Sequence, residues 1–399
     1  MRHERSPRSN SGSPPFMSHA KTDTLKRRRQ AVRASLADQA LDALVVTSLP
    51  NILYLTNFTG SSAIVILTAD RLELLTDFRY VTAVRDLQQD GAELELTTVE
   101  GSYDAMLVKR LAALLPAPPG RAGIESAHLT VARHLWITTS LAEEATGGAN
   151  SVTLVATEGI VERARVRKDP EEIATLREAA RRLSAVAAGV LTDVRAGITE
   201  QELALAIDWR IRRGGFSRTA FETIVASGPN AALPHAHPGE RKLTEGDLVV
   251  LDFGGVYASY CVDLTRTVSI GKATPRAREV YGAVLEAHDR AIASVRPGAS
   301  RLDIDQAARD TLGRYGLAEA FGHSTGHGLG IEVHEDPRIT RRRPDVDTRD
   351  EAVAAGMVFT IEPGAYLPDW GGVRIEDDVL VTADGVDVLT DVTTELIEI

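Results

Sequence analysis

Two stretches in the C-terminal half decide the fold of this chain: VVLDFGGVYASYCVDLTRTV at 249–268 and VFTIEPGAYLPDWGGVRIEDDVLV at 358–381. Each follows the same plan of an apolar strand, a carboxylate, a glycine, a turn, a returning strand and a second carboxylate. This plan predicts two β-hairpins of similar construction. An ionised carboxylate among Val, Ile and Leu side chains is costly unless cations or hydrogen bonds compensate it. The four carboxylates therefore indicate a buried site.

The first predicted hairpin carries Asp252 and Asp263, and the second carries Glu362 and Glu376. Directly opposed residues of an antiparallel pair have Cβ atoms about 4.5–5.5 Å apart, so we expect each pair to face across its own ladder. Two such hairpins packed face to face would bring the four carboxylates to one point, and His327 in the GHGLG segment adds one imidazole. Oxygen-rich ligands with one imidazole suit a pair of divalent metal ions, which implies metal-assisted hydrolysis.

Length and composition limit the classes of protein to consider. The chain has 399 residues, 43% of them hydrophobic and 25% charged, with a net charge of −11. This negative charge argues against nucleic acid or an anionic membrane surface as a partner. No apolar run reaches the roughly 18 residues of a membrane span. The single cysteine, Cys261, suits a reducing compartment, so we expect a cytoplasmic protein with two domains.

A basic tail and a polar connector set the domain boundaries that we predict. Residues 1–21 are rich in Ser and Pro, which is typical of a disordered tail. Strand and helix patterns alternate over 22–157 and predict an α/β domain with Rossmann-like layering. No Gly-rich phosphate motif supports nucleotide binding there. Residues 158–168 form a polar linker, and 169–399 form the second domain.

Capping signals predict four helices in the second domain, which make it an α+β structure together with the hairpins. Asp169 with Glu172, and Thr199 with Glu202, have the spacing of capping boxes. A Pro follows Asp169 at the first helical position. The predicted helices span 170–195, 200–213, 275–296 and 302–315.

The segments LDFGG, VDLTRT, GHSTGHGLG, TIEPG and GVRIEDD resemble the signature of the pita-bread metallopeptidases. That family includes methionine aminopeptidases, Xaa-Pro aminopeptidases, prolidases and the metal-free creatinases. The resemblance covers 168–399 by motif, and the preceding domain is similar to the creatinase-type N-terminal domain in size and position. It implies an α/β creatinase-like domain followed by an α+β pita-bread catalytic domain.

Carried over by motif, the resemblance implies a site for two divalent metal ions per subunit. Asp252 would bind one metal and Asp263 would bridge the two. His327 would be the sole imidazole ligand, and Glu362 and Glu376 would be the two glutamate ligands, with Glu376 bridging. Four carboxylates and one imidazole suit Mn²⁺, while Co²⁺ or Zn²⁺ fit the same ligand set.

Three further histidines match residues that surround the metals in the family. His235 or His334 would donate a hydrogen bond to the substrate carbonyl, and His323 would have a catalytic and substrate-binding role. Glu362 is the predicted acceptor of the proton from the attacking water. Arg374 matches an arginine that hydrogen-bonds near the substrate in proline-specific members.

The resemblance also implies the substrate, because methionine aminopeptidases generally lack a creatinase-type domain. The substrate would be a proline-containing di- or oligopeptide, cleaved at the Xaa-Pro bond. The absence of large insertions favours a prolidase acting on dipeptides, and the alternative is an Xaa-Pro aminopeptidase acting on longer peptides. His323 and Arg374 are candidates for holding the prolyl carboxylate. A homodimer is expected, with a loop at 54–58, including Tyr54 and Phe58, as a lid that limits substrate length.

A metal-free enzyme or a binding protein of the same fold is a less favoured interpretation, since such proteins typically lose ligands and all five are present. Some polar residues near the motifs are expected to have ordinary structural roles. We expect His237 at the surface and Cys261 as a packing residue. We expect Asp377 and Asp378 to be solvated or to cap a helix.

Overall fold

The computed structural model describes residues 20–115, 119–147, 150–342 and 351–399. The predicted tail at 1–21 lies outside these residues apart from its last two positions. Within the described part, no helix has the length and apolar character needed to cross a membrane.

The N-terminal part is an α/β structure built on one six-stranded sheet. Its helices are α1 (Thr22–Asp38), α2 (Leu49–Thr56), α3 (Val81–Gln89), α4 (Tyr103–Leu114), α5 (Val131–Thr146) and α6 (Ile160–Arg165). Its strands are β1 (Ala43–Val46), β2 (Ile64–Thr68), β3 (Leu72–Thr76), β4 (Glu95–Thr98), β5 (Gly120–Glu125) and β6 (Val152–Thr157). The strand order is β4-β3-β2-β1-β5-β6. The pairs β1/β2 and β2/β3 are antiparallel, and the other three pairs are parallel.

Burial on both faces of this sheet explains the continuous apolar sequence of its central strands. Along β1, Leu44 and Val46 belong to one apolar cluster, whereas Ala43 and Val45 belong to another. The first of these clusters continues into the C-terminal part, where it includes Leu176 of the next helix. The two parts therefore share one apolar core.

The C-terminal part contains helices α7 (Pro170–Val190), α8 (Glu200–Arg213), α9 (Pro275–Ser294) and α10 (Arg301–Arg314), with short 3₁₀ helices at Gly228–Ala232 and Ala318–Ala320. Its first strands are β7 (Arg218–Thr219), β8 (Ile224–Ser227), β9 (Leu248–Tyr257), β10 (Tyr260–Ser269), β11 (Gly326–Gly328) and β12 (Glu335–Ile339). They are followed by β13 (Val358–Ile361), β14 (Gly364–Leu367), β15 (Gly371–Arg374), β16 (Asp377–Val381), β17 (Val386–Val388) and β18 (Ile397–Glu398). The sheets have the orders β18-β10-β9-β7, β12-β11-β13-β16-β17 and β14-β15, and β8 also pairs with β9.

The helix starts of the C-terminal part agree with the capping signals. Both predicted capping boxes are confirmed, Asp169 with Glu172 at α7 and Thr199 with Glu202 at α8. Helix α7 ends five residues earlier than predicted, at the point where the chain turns towards α8. Residues 158–168, predicted to be a polar linker, contain α6.

The hairpin of β9 and β10 has a register that differs from the prediction. Asp252 pairs with Thr265, so Asp263 is its diagonal neighbour and does not face it across the ladder. The prediction of a directly opposed pair is wrong because Ala258 and Ser259 alone form the turn. Their φ angles of 48° and 71° belong to a tight two-residue turn, which fixes the register of the strands. Both carboxylates still lie on the same face, since side chains alternate with a period of two.

The second predicted hairpin is interrupted at its carboxylates. The ladders β13/β16 and β14/β15 share one alignment, on which Glu362 faces Glu376. Glu362 directly follows β13, and Glu376 directly precedes β16. The backbone N–H of Glu376 instead donates to the carbonyl oxygen of Thr265 (3.1 Å) in the first hairpin. The two hairpins are thus joined by a backbone bridge in addition to the packing that the sequence predicted.

Two aspartates expected to be solvated or to cap a helix are buried in β16, so that prediction is wrong. Asp377 Oδ1 accepts a hydrogen bond from Arg266 Nη2 (2.8 Å). Asp378 Oδ2 accepts one from the backbone N–H of Asp263 (3.0 Å). These protein donors replace water at Asp377 Oδ1 and Asp378 Oδ2, whereas Asp378 Oδ1 is buried without a hydrogen-bond partner among the described residues.

The predicted lid at 54–58 is also wrong. Tyr54 lies within α2 and Phe58 lies just after it, and both side chains are buried. Tyr54 Oη donates to the carbonyl oxygen of Ala164 (2.9 Å), and the guanidinium carbon of Arg28 lies 4.3 Å from the Tyr54 ring centroid. The apolar residues around Tyr54 follow a helical period and pack into the shared core, which leaves neither side chain available as a mobile cover.

Arg28 of α1 joins the N-terminal part to the start of α7. Its Nε and Nη2 both donate to Asp169 Oδ2 (3.0 and 2.7 Å), and its Nη1 donates to the carbonyl oxygen of Tyr54 (3.1 Å). Asp169 also accepts hydrogen bonds from the backbone N–H groups of Glu171 and Glu172 as the N-cap of α7. One carboxylate therefore serves both the helix and the contact between the two parts.

This double role predicts unequal losses of stability from two N-cap substitutions. Thr274→Ala removes the N-cap of α9 alone and should lower the free energy of unfolding by about 1 kcal/mol. Asp169→Ala should lower it by about 2 to 4 kcal/mol, since buried Arg28 also loses a charged partner. Urea unfolding of both variants under the same metal loading measures the difference. Equal losses would show that the contact with Arg28 contributes nothing.

Candidate metal centre

The five predicted metal-binding residues meet at one buried point. Asp252 and Asp263 come from β9 and β10, His327 comes from β11, and Glu362 and Glu376 flank β13 and β16. Ligand atoms of Asp263, His327 and Glu376 all lie within 4.8 Å of one another. His327 Nε2 lies 3.7 Å from Glu362 Oε1. The side chain of Glu362 is 16% exposed, which is more than the side chains of Asp252, Asp263 and His327.

His327 presents an unprotonated nitrogen to these carboxylates. Its Nδ1–H donates to the carbonyl oxygen of Gly328 (3.1 Å). Burial, together with nearby His334, lowers the pKa of His327 to about 3, so the ring is neutral and Nε2 has a lone pair. Nε2 faces Asp263 Oδ2 at 3.9 Å and Glu362 Oε1 at 3.7 Å. A divalent cation between these groups would be bound by the lone pair of Nε2 and by the carboxylate oxygens together.

The protonation behaviour of the carboxylates fits a metal site. Burial, followed by the charge of Glu376, raises the pKa values of Asp263 and Glu362 well above their usual range. Burial, followed by the charge of Asp252, raises the pKa of Glu376 to about 8. Asp252 Oδ1 is buried and has no hydrogen-bond donor among the described residues. These groups therefore have the burial, the acceptor atoms and the unmet need for positive charge that a bound metal ion would satisfy.

Arg374 holds two of the carboxylates in place. Its Nη2 donates to Asp252 Oδ2 (2.6 Å). Its Nε donates to Thr265 Oγ1 (3.2 Å), which in turn donates to Glu376 Oε2 (2.6 Å). Its Nη1 donates to Tyr366 Oη (2.8 Å), and the whole side chain is buried. Because every guanidinium nitrogen already has a protein partner, the expectation that Arg374 holds a substrate carboxylate is not supported.

Tyr366 is a residue that the sequence analysis missed, and it links Arg374 to His323. His323 Nδ1–H donates to the carbonyl oxygen of Ser324 (2.8 Å), so its Nε2 accepts from Tyr366 Oη (2.8 Å). Burial, followed by the charge of Arg374, lowers the pKa of His323 to about 4 and keeps the ring neutral. Strand alternation contained the missing signal, because Arg374 pairs with Gly364 and Tyr366 lies two residues further on the same face.

An open cleft of about 370 Å³ leads to the carboxylates. It is lined by the five predicted ligands, by His235, His323, His334 and Arg374, and by the apolar residues Phe221, Ile224 and Pro234. The ring centroids of His334 and His327 are 4.3 Å apart. The cleft lining includes neither Tyr54 nor Phe58.

Arg338 is a further lining residue that the sequence analysis did not identify. It is exposed, and among the described residues its guanidinium has no hydrogen bond or ion pair. Its positive charge contributes to lowering the pKa values of His327 and His334. The cleft therefore has a cationic group close to its histidines.

Two residues with expected structural roles behave as predicted. The side chain of His237 is 81% exposed, and its Nδ1 lies 3.1 Å from Glu222 Oε2. Cys261 is buried, and its Sγ donates to the carbonyl oxygen of Ile331 (3.6 Å). Burial raises the pKa of Cys261 to about 12, so it remains a neutral thiol.

Sequence comparison identifies both parts of the chain. Residues 174–383 match the profile of metallopeptidase family M24, and residues 28–167 match the creatinase/prolidase N-terminal domain. An Xaa-Pro dipeptidase from Pyrococcus horikoshii is 32% identical over 378 residues, which cover 94% of this chain and 100% of that protein.

Solved structures give similar results. The Xaa-Pro dipeptidase from Bacillus anthracis has 33% sequence identity and a TM-score of 0.84, with 94% of this chain and 100% of that chain covered. The X-Pro aminopeptidase from Thermotoga maritima has 31% identity and a TM-score of 0.79, with 90% of this chain and 98% of that chain covered.

The raised pKa values predict that metal binding displaces protons. The pKa of Glu376, at about 8, keeps this carboxyl group mostly protonated at neutral pH without a cation, and the pKa values of Asp263 and Glu362 are shifted in the same direction. Binding of Mn²⁺ should therefore release protons and strengthen as the pH rises towards about 8. Calorimetric titration in buffers of different ionisation enthalpy measures the number released. His327→Ala should weaken binding strongly, whereas His237→Ala should leave it unchanged. Binding without proton release, at an affinity independent of pH, would contradict this account.

Proposed function

This chain belongs to metallopeptidase family M24, and we propose that it hydrolyses the Xaa-Pro peptide bond of dipeptides. The observation that carries the proposal is the cleft itself, in which four carboxylates and one neutral imidazole lie beside further histidines and Arg338, whose guanidinium has no partner among the residues that the structure describes. The similarity to Xaa-Pro dipeptidases over nearly the whole chain supports this substrate class.

We assign the metal site to two divalent ions per subunit, held by Asp252, Asp263, His327, Glu362 and Glu376. Mn²⁺ suits this oxygen-rich ligand set, and Co²⁺ or Zn²⁺ are alternatives. When bound, such ions supply Lewis acidity that lowers the pKa of water and polarises a carbonyl group.

The residues of the chain then have distinct tasks. Glu362, whose side chain is open to the cleft, accepts the proton of the attacking water and passes it to the prolyl nitrogen as the peptide bond breaks. Burial and the charge of Arg338 lower the pKa of His334, so its ring is neutral at pH 7 and donates a single N–H to the substrate carbonyl oxygen. His235, exposed in the cleft, is the alternative donor for that oxygen.

The ring of His323 forms part of the cleft wall that contacts the substrate. Both of its nitrogens have protein partners, Ser324 and Tyr366, so its contribution is to present a fixed, neutral ring. Tyr366 in turn accepts from Arg374, which connects this wall to the carboxylate Asp252. This series of hydrogen bonds fixes the position of the His323 ring relative to the metal ligand Asp252.

The preference for dipeptides or for longer peptides depends on which protein group binds the carboxylate of proline. In a dipeptide this carboxylate is free, and it needs a cationic partner in the cleft. Arg338 is suited to this role because its guanidinium has no partner within the described part of the chain. An Xaa-Pro aminopeptidase is the second candidate function, favoured by the similarity to the Thermotoga maritima structure.

Several features of the assembly complete the proposal. We propose a homodimer in a cytoplasmic compartment, with a creatinase-like domain at 22–157, a connecting segment at 158–168 and the catalytic domain at 169–399. The single cysteine suits a reducing compartment. Tyr54 and Phe58 have no part in substrate binding in this proposal, since both are buried within the core of their own chain.

Comparison of Leu-Pro with Leu-Pro-Xaa tripeptides tests the function. We expect the dipeptide to be cleaved with the higher kcat/KM. Arg338→Leu should raise KM for the dipeptide about 10- to 100-fold through loss of a charge-assisted hydrogen bond, with little effect on tripeptides. Arg341→Leu, a change in an exposed arginine outside the cleft lining, is the control. Faster cleavage of the tripeptide would reverse the assignment in favour of an aminopeptidase.

The role of Glu362 is tested by Glu362→Gln, which keeps the size of the side chain but removes its basicity. We expect kcat to fall by about 100-fold or more, as expected for loss of a general base, with a much smaller change in KM. Measurement of the metal content alongside the kinetics separates loss of the base from loss of metal. Near-normal turnover in the metal-loaded variant would remove Glu362 from the mechanism.

A further inference from the structure

The backbone segment that presents His334 is anchored from outside the cleft. We call residues 328–335 the His334 loop. On one side, the backbone N–H of Cys261 donates to the carbonyl oxygen of Gly330 (2.7 Å). On the other side the loop ends in Glu335, the first residue of β12 and the direct neighbour of His334. The position of Glu335 therefore constrains where the imidazole of His334 lies.

Glu335 is held by a side chain from the last residue of α6. Arg165 Nη2 donates to Glu335 Oε1 (2.5 Å) and to Glu332 Oε2 (2.8 Å), so its guanidinium binds two residues of the His334 loop. Lys168 Nζ donates to Glu335 Oε2 (3.2 Å). Although burial favours the protonated form, Lys168 and Arg165 hold the pKa of Glu335 below its usual range. The contact is thus an ion pair away from solvent.

Arg165 is itself fixed by the N-terminal part. Its side chain is only 3% exposed, and its Nη1 donates to Asn51 Oδ1 (2.7 Å) in α2. Asn51 Nδ2 donates to Glu125 Oε1 (2.7 Å) at the end of β5. Glu125 Oε2 accepts from the backbone N–H of Ser48 (2.8 Å), just before α2. A continuous series of hydrogen bonds therefore runs from the N-terminal sheet to the His334 loop.

Arg165 and His334 line the same side pocket. A side pocket of about 160 Å³ is lined by Arg165, Glu332 and Glu335, and it shares His334 and Arg338 with the catalytic cleft. His334 therefore stands between the cleft and this side pocket. Removal of the Arg165 side chain would enlarge the side pocket, and close-packed groups beside a new void tend to relax into it.

We propose that Arg165 is a positioning residue, which fixes His334 over the cleft by holding Glu335 and Glu332. Through it, the N-terminal part sets the geometry of a hydrogen-bond donor in the other part. This inference rests on the proposed function for its catalytic consequence, but the position of His334 is a property of the protein without substrate.

Kinetics on Xaa-Pro dipeptides test the catalytic consequence. Arg165→Met should lower kcat about 10- to 100-fold, the range typical of residues that support a catalytic group, while KM and the metal content stay near their normal values. Arg165→Lys keeps the charge but loses the forked contact, so it should retain more activity. It is also the variant to use if Arg165→Met fails to fold.

A double-mutant cycle separates positioning from general structural damage. If Arg165 acts through His334, Arg165→Met should have almost no further effect on kcat in a His334→Ala background. Arg110→Met is the matched control, because Arg110 also binds a buried glutamate, Glu73 (2.7 Å), but within the N-terminal sheet. It should leave kcat unchanged. Equal losses from Arg165→Met in both backgrounds would overturn the proposal.

NMR of histidine-labelled protein gives a readout that needs no substrate. The imidazole resonance of His334, assigned with His334→Ala, should shift in Arg165→Met and Arg165→Lys and stay in place in Arg110→Met. An unchanged His334 resonance would overturn the proposal even if kcat fell. If the unmodified protein fails to cleave Xaa-Pro peptides, the proposed function fails, and the resonance still decides whether Arg165 positions His334.

Discussion

Four carboxylates buried at one point repel each other, and their need for positive charge is the constraint on which the rest of the catalytic part depends. One buried arginine contributes to meeting it, and a second buried arginine fixes the backbone beside these carboxylates. Arg374 contacts Asp252 directly and reaches Glu376 through Thr265. Arg266 donates to the carbonyl oxygen of Glu376 (2.6 Å) and so fixes the backbone at that ligand. The pKa values of Asp263, Glu362 and Glu376 are raised despite the charge of Arg374, so the site lacks positive charge that metal cations would supply.

The same constraint explains why neutral hydrogen-bonding groups surround the ligands. Burial keeps His327 and His323 uncharged, so each ring nitrogen has a defined role as donor or acceptor. A carboxylate held by a fixed donor keeps its orientation, and a histidine with one nitrogen engaged keeps the other available. Rigidity at the ligands thus comes from hydrogen bonds that reach into both hairpins and the cleft wall.

The sequence predicted the elements that depend on local signals and missed those set by tertiary contacts. The capping boxes at Asp169 and Thr199 formed as expected, because a cap uses neighbouring residues. The register of β9 and β10 depends on a turn whose backbone conformation the letters Ala-Ser do not suggest. Arg165 escaped notice because its partners are up to 170 residues away in the chain, and the hydrogen bond that joins Tyr366 to His323 spans 43 residues. Spacing suggested which residues would meet, but not which groups would hold them.

The long sequence separations at the site have a consequence for synthesis of the protein. The hydrogen bond between Thr265 and Glu376 spans 111 residues, and that between Asp263 and Asp378 spans 115. Contacts this distant form only after the intervening chain is available, and N-terminal regions fold first as a chain emerges. A growing polypeptide therefore has no complete ligand set until its final strands leave the ribosome. Binding of metal at this site would then be one of the last steps of maturation, and a chain truncated before Glu376 would lack one of the five candidate ligands.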